Sequence, residues 1–407
     1  MRTFSPTEPK RAVVSSSSRE QPDSRRSWLV AIVGSIAMVF TFGTPLSYGV
    51  FHQPFSEAFG ISPVAMSTVF SVMLFAFFIG SGLIGIASTR VAARAVLLAC
   101  AGATAAIAPA LYVTESYLGL VAVFAVLGLA LGTVFVLLAS VVPRWFDERR
   151  GVATGLIFVG NGLGLTVLPP IWQRAIETVG VRQGFLVVMG ITAAAFALAG
   201  LVCRRPRWAD QTSESFLGVL EWVRGLAGSR TFQLLFVGMS LAFAWYQLLA
   251  AYAIDYFAAR GMTEAAASVA FGLIGGVSII SRIGGGYVAD IVGSRRAFLA
   301  SLACAGIGVC VLFLPGWLAL GVAIIIIGLG LGGSATLYIP VLMEIFDPKR
   351  DTAIIGIFNV AGGLGALAMP PLGTGSVAYT GSYTVALALT VVVVAVGFWL
   401  VALGTRI

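Results

Sequence analysis

Long apolar runs separated by short polar connections fill the chain from residue 28 to its carboxyl end. Each run is close to the length of about 20 residues that a helix needs to cross the hydrocarbon core of a bilayer. A longer polar stretch, 204–230, divides the runs six and six, and a weakly amphipathic segment within it, 216–226, predicts a short interfacial helix. The runs span residues 28–51, 66–88, 95–113, 117–142, 151–173, 184–203, 231–254, 265–289, 297–314, 317–345, 352–378 and 382–405.

This pattern predicts an all-α membrane protein with twelve transmembrane helices in two six-helix bundles. The serine-rich, polar amino terminus has the composition of a disordered segment. The predicted parts are a disordered cytoplasmic tail at 1–27, an N-terminal bundle at 28–203, a central cytoplasmic linker at 204–230 and a C-terminal bundle at 231–407.

Composition supports a lipid environment. Hydrophobic residues make up 58% of the chain and charged residues only 10%, whereas soluble domains have about 45–50% and about 25%. Most of the 25 lysines and arginines lie in the amino-terminal tail, the even-numbered connections and the carboxyl end. The positive-inside rule therefore predicts that both termini are cytoplasmic, in a multi-pass protein of the plasma membrane. Because the basic residues follow topology, the net charge of +8 does not indicate nucleic-acid binding.

The two halves of the chain repeat each other in the same orientation. Gly128-Leu-Ala-Leu-Gly132 recurs as Gly328-Leu-Gly-Leu-Gly332, and the Pro-Pro pair at 169–170 recurs at 370–371. Such a repeat indicates two bundles related by an axis along the membrane normal. Glycines four residues apart also predict close helix packing, at the pairs 128/132, 151/155, 160/164 and 328/332.

Enzyme chemistry finds little support in the sequence. The four cysteines lie in or beside apolar runs without metal-ligand spacing, so we interpret them as small buried residues and predict no metal or cofactor. The single histidine, His52, follows the first run and is interpreted as a solvated rim residue, with a proton relay as the alternative. A membrane sensor is disfavoured because the connections are short.

One connection resembles the signature loop of the major facilitator superfamily. It reads Gly286-Tyr-Val-Ala-Asp-Ile-Val-Gly-Ser-Arg-Arg296, and its counterpart after the second run has Thr89 in place of the acid and Ala92 in place of the glycine. The resemblance implies a role in gating, with a weaker charge-based latch in the first half. The candidate gating residues are Arg90, Arg94, Asp290, Gly293, Arg295 and Arg296.

A second motif is more specific. Trp145-Phe-Asp-Glu-Arg-Arg-Gly-Val-Ala-Thr-Gly155 closely resembles a sequence of the monocarboxylate transporter family and its prokaryotic relatives, which include oxalate–formate exchangers. The end of the first run, 43–51, and Gly180-Val-Arg182 agree with that family. The resemblance implies a secondary transporter that works by alternating access, usually as a monomer.

Arg282 is the central candidate for substrate binding. It lies eight residues before Asp290, about 12 Å along the helix from the cytoplasmic end, at a depth where a charge needs a partner or a cavity. A planar guanidinium suits bidentate binding of a carboxylate. In the monocarboxylate transporters an arginine at this spacing binds the substrate's carboxylate, which implies that role for Arg282. The alternative is a standing ion pair with an acidic side chain.

The resemblance implies that helices one, four, seven and ten line a central cavity, with contributions from five, eight and eleven. Ser278 lies where proton-coupled relatives have an acid, and no lysine or arginine lies in 352–378 to bind a second carboxylate. A lactate- or pyruvate-like monocarboxylate is therefore predicted. A dicarboxylate or formate exchanger and a drug or neutral-metabolite exporter are the alternatives, and the coupled species, a proton or a counter-anion, stays open. Besides Arg282, the candidate substrate-binding residues are Tyr48, Phe135, Asn161, Tyr246, Gln247, Tyr252, Ser278, Tyr338 and Asn359.

Overall fold

Helices dominate the fold because a helix satisfies its backbone hydrogen bonds internally, as lipid requires. The computed structural model describes residues 21–87, 92–206, 216–346 and 351–406, in which it has fourteen α-helices, two 3₁₀ segments and no strand. The helices are α1 (Arg25–Leu46), α2 (Tyr48–Phe59), α3 (Pro63–Ala87), α4 (Ala93–Ile107), α5 (Tyr117–Val141), α6 (Arg150–Val202), α7 (Phe216–Ala227), α8 (Arg230–Ala250), α9 (Ala253–Ala259), α10 (Glu264–Val292), α11 (Ser294–Val311), α12 (Trp317–Ile345), α13 (Asp351–Thr380) and α14 (Tyr383–Gly404).

Eleven stretches in the described residues are long and apolar enough to cross a membrane. One of them, Val152–Val202 in α6, has 51 residues and would extend about 76 Å if straight, more than twice the thickness of the hydrocarbon core. Gly180 interrupts this helix with φ 82°, a conformation that glycine adopts without steric cost. We call the parts of α6 before and after Gly180 its first and second limbs. Each limb makes one span, so the eleven stretches contain twelve spans, which match the twelve predicted runs.

The predicted tail and linker lie partly outside the described residues, which exclude 1–20 and 207–215. The first helix begins at Arg25, three residues before the predicted start. Just before it, the Asp23 carboxylate accepts hydrogen bonds from the backbone N–H groups of residues 147, 148 and 149. These bonds, that from Asp147 above all, lower the pKa of Asp23. Helix α7 confirms the predicted helix in the linker.

The helices of each half pack mainly against one another, while α6–α10, α3–α13 and α2–α9 join the halves. We call the side where α1 begins and α14 ends the terminal face. There the backbone N–H of Asp23 donates to Trp145 O at 3.1 Å, and Arg295 at the start of α11 donates to Thr405 at the end of α14. The other side, where α2 ends and α9 lies, is called the opposite face. Whether the terminal face is cytoplasmic stays a prediction.

Glycines set the closest helix contacts. A Cβ at Gly128 would collide with the Met73 carbonyl, and one at Gly132 with the Phe77 carbonyl, so α5 lies directly against the backbone of α3. Gly160 and Gly164 lie as closely against α1, and Gly328 and Gly332 against α10. The predicted packing role is wrong for Gly155, where a Cβ would meet nothing within 4 Å.

The cysteine prediction is only partly correct. All four thiols are free, and Cys100 and Cys203 are buried as predicted. Cys304 is partly exposed and Cys310 is exposed. Both lie on α11, a membrane span at the surface of the protein. The face of such a span that points away from the protein is apolar too, so apolar neighbours in the sequence do not imply that a cysteine there is buried.

Alanine at Gly132 and at Gly155 should have opposite effects on stability. Gly132→Ala forces a Cβ into the backbone of α3 and is expected to cost about 1–3 kcal/mol. Gly155→Ala adds a methyl group to open space and is expected to gain up to about 1 kcal/mol from helix propensity. Thermal unfolding of the purified variants in detergent measures both, and equal melting temperatures would contradict the close α3–α5 contact.

Candidate functional site

A central cavity of about 70 Å³ lies between the two halves of the protein. One water molecule needs roughly 10–15 Å³ of a cavity volume measured in this way, with a water-sized sphere. The cavity therefore has room for several waters or a small organic acid. Residues from α1, α3, α5, α6, α8, α10, α12 and α13 line it. Seven predicted site residues are among them: Phe135, Asn161, Tyr246, Gln247, Arg282, Tyr338 and Asn359.

Close packing of α10 and α12 positions Arg282. Gly332 lies against the Ser278 backbone carbonyl, so the two helices approach at the depth of the cavity. One turn later, Arg282 Nε donates a hydrogen bond to Ser278 Oγ at 3.3 Å. The Arg282 side chain is only 8% exposed, and the remaining guanidinium hydrogens extend beyond this bond, at the cavity wall.

No carboxylate among the described residues lies within 4.0 Å of the Arg282 guanidinium. The standing ion pair considered for Arg282 is therefore absent from the described part of the chain. A buried charge without a counter-charge carries a desolvation cost of several kcal/mol. An anionic ligand in the cavity would offset this cost.

Three other polar side chains in the cavity wall have unused hydrogen-bonding atoms. Tyr246 Oη, Gln247 Oε1 and Asn359 Nδ2 are buried, and none has a hydrogen-bond partner among the residues that the structure describes. Asn359 is held in place by its other amide atom, because Tyr338 Oη donates to Asn359 Oδ1 at 3.4 Å. A buried polar atom left unpaired costs about 1–3 kcal/mol, so this wall is suited to a ligand that carries polar groups.

The rest of the wall is aromatic. The rings of Phe42 and Phe135 meet edge-on with centroids 5.2 Å apart, and Phe158 and Phe243 extend the wall on the two sides. Sequence reasoning missed Phe42, Phe158, Phe243 and Trp245. No signal in one sequence separates such rings from the many that face lipid, because both occur in equally apolar surroundings.

Three predicted site residues lie outside this cavity. Tyr48 is buried nearer the opposite face, with its hydroxyl 3.0 Å from Ser67 Oγ. The Tyr252 hydroxyl is 2.7 Å from Thr390 Oγ1, and its side chain lines a separate cavity at the opposite face. The prediction that these two tyrosines shape the central cavity is therefore wrong. Ser278 does not line the cavity, and its hydroxyl accepts the hydrogen bond from Arg282 Nε from behind the cavity wall.

The predicted gating loop has a defined turn and an unpaired acid. Gly293 has φ 89°, which confirms the predicted tight turn. Asp290 is exposed, and its carboxylate has no hydrogen bond or salt bridge with any described residue. Arg295, in contrast, donates to Thr405 Oγ1 and the Ala402 carbonyl. Arg94 and Arg296 are exposed, and Arg90 lies outside the described residues.

The central cavity adjoins a larger space on the side of the terminal face. A cavity of about 850 Å³ lies between the first limb of α6, α10 and α12, and it shares Arg282 and Phe158 with the central cavity. The cavity at the opposite face, of about 550 Å³, shares no lining residue with either. Arg282 therefore borders the larger cavity on the side of the terminal face and does not line the cavity at the opposite face.

Methionine at position 282 should stabilise the protein. Arg282→Met removes a buried charge that has no acidic partner, so the melting temperature is expected to rise by roughly 2–5 °C. Arg295→Met removes hydrogen bonds to Thr405 and Ala402 and should lower it. Thermal unfolding in detergent without added anions makes the comparison, and a lower melting temperature for Arg282→Met would indicate a structural partner.

Known proteins resemble the chain over nearly its whole length. The family model described as the Major Facilitator Superfamily matches residues 29–290 and 234–406. Monocarboxylate transporter 2 of Meriones unguiculatus is 25% identical over 415 residues, which cover 93% of this chain and 84% of that protein. The MFS-type transporter pytF of Aspergillus terreus is 29% identical over 276 residues, which cover 66% of this chain and 90% of that protein.

A solved structure supports the fold. The crystal structure of the nucleoside transporter NupG (D323A mutant) matches with a TM-score of 0.73 at 12% identity, and the match covers 93% of this chain and 98% of that one. The family is one of multi-pass membrane transporters, usually of the plasma membrane, and its members are not enzymes. On the extent of the family match and the two-bundle helical fold, the chain belongs to the major facilitator superfamily.

Proposed function

We propose that this transporter moves a small monocarboxylate by alternating access and binds its carboxylate on Arg282. The observation that carries the proposal is the Arg282 guanidinium, which is buried at the wall of the central cavity without an acidic partner among the described residues. A guanidinium offers parallel N–H donors that match the two oxygens of a carboxylate. The substrate would therefore supply the missing counter-charge.

The number of charges favours a monoanion. Arg282 is the only lysine or arginine that lines the central cavity in the described residues. A dicarboxylate would place its second charge among phenylalanines and amides, where an unpaired carboxylate costs several kcal/mol. A neutral substrate would leave the buried guanidinium uncompensated. Both alternatives are therefore weaker, and the names of the monocarboxylate transporters among the relatives agree with the proposal.

The polar atoms of the wall favour an acid with a further oxygen. Tyr246, Gln247 and Asn359 lack partners for one polar atom each, and a hydroxyl or keto group beside the carboxylate would hydrogen-bond to this wall. Lactate and pyruvate have such a group and are small enough for the cavity, whereas acetate has none. The aromatic side of the wall would contact the substrate's carbon chain.

The arrangement of cavities describes one state of the transport cycle. Arg282 lines the cavity of about 850 Å³ on the side of the terminal face and does not line the cavity at the opposite face, so in the proposed cycle it is reached from the terminal face. With the terminal face in the cytoplasm, as the distribution of basic residues predicts, this is the inward-facing state. Rocking of the bundles about the α6–α10 and α3–α13 contacts would then expose the same residue to the other side.

Uptake by proteoliposomes tests the substrate class. Labelled lactate, pyruvate, acetate and oxalate would be compared with and without an inward proton gradient. Saturable uptake of a monoanion is expected, and Arg282→Ala should reduce it by about tenfold to a hundredfold, since a hydrogen-bonded charge contributes about 1.5–3 kcal/mol. Arg282→Lys should recover only part of the activity because lysine lacks the planar fork.

Arg174→Ala is the matched control, because Arg174 is exposed near the opposite face, away from the cavity. It should transport like the unaltered protein. If no acid in the panel is transported, or if Arg282→Ala retains full activity, the carboxylate site is excluded.

Asn359 should contribute to discrimination between acids. Asn359→Leu removes the unpartnered amide nitrogen from the wall, so the affinity for lactate is expected to fall by roughly fivefold to tenfold, the equivalent of one hydrogen bond. The affinity for acetate, which has no second polar group, should change little. Competition of each acid against labelled lactate measures the ratio, and an equal loss for both acids would contradict a contact to the additional oxygen.

A further inference from the structure

A histidine and an aspartate from different bundles face each other at the opposite face. His52 lies on α2 of the first half and Asp255 on α9 of the second, and His52 Nδ1 is 3.9 Å from Asp255 Oδ2. Both residues lie beyond the candidate spans Arg25–Leu46 and Arg230–Ala250. The pair lines the cavity of about 550 Å³ that opens at this face. It is therefore within reach of protons from the solution on that side.

The prediction that His52 is a solvated rim residue is wrong, because only 5% of its surface is exposed. Its Nε2 lies 3.0 Å from the Pro63 carbonyl oxygen. Since a carbonyl can only accept a hydrogen bond, Nε2 carries the hydrogen and donates it. In the neutral ring Nδ1 is then an acceptor with no hydrogen, and it has no partner in the structure.

Two acceptors therefore face each other across the bundle interface when Asp255 is ionised. They can form a hydrogen bond only if one proton is added, either to the carboxylate or to the imidazole, and if the atoms approach by about 1 Å. We propose that His52 and Asp255 form a proton-binding site between the two bundles, which holds the opposite face closed when it is protonated and releases it when the proton leaves. The inference rests on the alternating-access part of the proposed function and on no particular substrate.

The surrounding contacts place this site where the face must open. Gly49, on the same helix as His52, would bring a Cβ to within 3.3 Å of the Ala250 carbonyl and 3.1 Å of the Ile254 side chain. A second polar contact also joins the halves, because Ser67 Oγ on α3 lies 2.6 Å from Thr374 Oγ1 on α13. The hydroxyl pair does not titrate in the physiological range, whereas the His52–Asp255 pair can make the closure depend on pH.

The charged and titratable neighbours make an ionised pair costly. Partial burial, and to a smaller extent the negative charge of Glu264 at the start of α10, raise the pKa of Asp255 to about 6. Burial lowers the pKa of His52. The other titratable side chains around the pair are Tyr48, Tyr252, Tyr383 and Glu57, while Arg260 is engaged by Tyr256 and by backbone carbonyls.

The direction of the pH effect follows from the two states. In the open state the first proton of the pair binds to His52, which in water has a pKa near 6.5. In the closed state that proton lies between Asp255, whose pKa is raised to about 6, and Nδ1 of His52. The hydrogen bond that the proton makes there is absent from the open state and holds the proton more tightly than a free histidine does. Closure is therefore favoured at low pH, and this contribution is lost as pH rises above the titration of the closed pair.

Distances between spin labels at the opposite face measure closure directly and require no substrate. Cysteines would replace Ala58 on α2 and Ala259 on α9, which are both exposed, after the four native cysteines are changed to alanine. In nanodiscs, the ratio of short to long distances is expected to rise roughly fivefold between pH 8 and pH 5.5, because a difference of about one pH unit in proton affinity between the two states limits the change to about tenfold.

Two substitutions should abolish the response. The amide of Asp255→Asn can donate to the unprotonated Nδ1 without an added proton, so the short distance should already dominate at pH 8, and acid should no longer increase it. His52→Gln should also become insensitive to pH, because its amide can donate to the carboxylate. Glu57→Gln, in the same cavity but unpaired with His52, is the matched control and should respond like the unaltered protein.

A distance distribution that does not change with pH in the unaltered protein would overturn the proposal. So would an unaltered response in either variant that elutes as the native protein does on gel filtration. Because no acid is added, failure here leaves the carboxylate site untouched, and failure of the uptake experiment leaves this site untouched.

Discussion

The structure depends on one uncompensated positive charge in an apolar interior. A guanidinium away from water has a high free energy unless hydrogen bonds and a counter-charge surround it. In the described chain Arg282 has a single hydrogen bond, to Ser278, and no carboxylate beside it. The protein therefore carries a deficit of interactions at the depth of the cavity, which the anion proposed as substrate would correct. The proposal thus has a physical reason for selectivity by charge, before any contact to the substrate's carbon skeleton is considered.

Holding that charge in place requires rigid surroundings, and glycine contacts provide them. Gly328 and Gly332 let α12 lie against α10, while Gly272 and Gly275 let α10 approach the first limb of α6 in the other bundle. The arginine is thus mounted on a helix that packs closely on both sides, and α10 belongs at once to the wall of the cavity and to the interface between bundles. A change at this interface must move the binding residue relative to α6.

Much of the architecture could be predicted from the sequence, because lipid allows few solutions. Apolar runs of helix length, prolines, glycines and the repeat between halves are strong local signals, and the spans agree with the predicted runs. Arg282 could be singled out because a charge in such a run is rare. Phe42 and Phe243 could not, since their apolar setting is the same whether they face lipid or cavity. Tyr48 and Tyr252 were misplaced because one sequence does not reveal where a helix breaks, and α1 and α8 end just before these residues.

Gly180 joins the two limbs of α6 with a single non-helical residue. Most connections between spans contain several residues that can absorb displacement, but this one has almost no slack. The end of the first limb and the start of the second therefore stay next to each other whatever angle the limbs make. A displacement of the first limb at this end, which the contact with α10 can cause, also displaces the start of the second limb, which packs on α4.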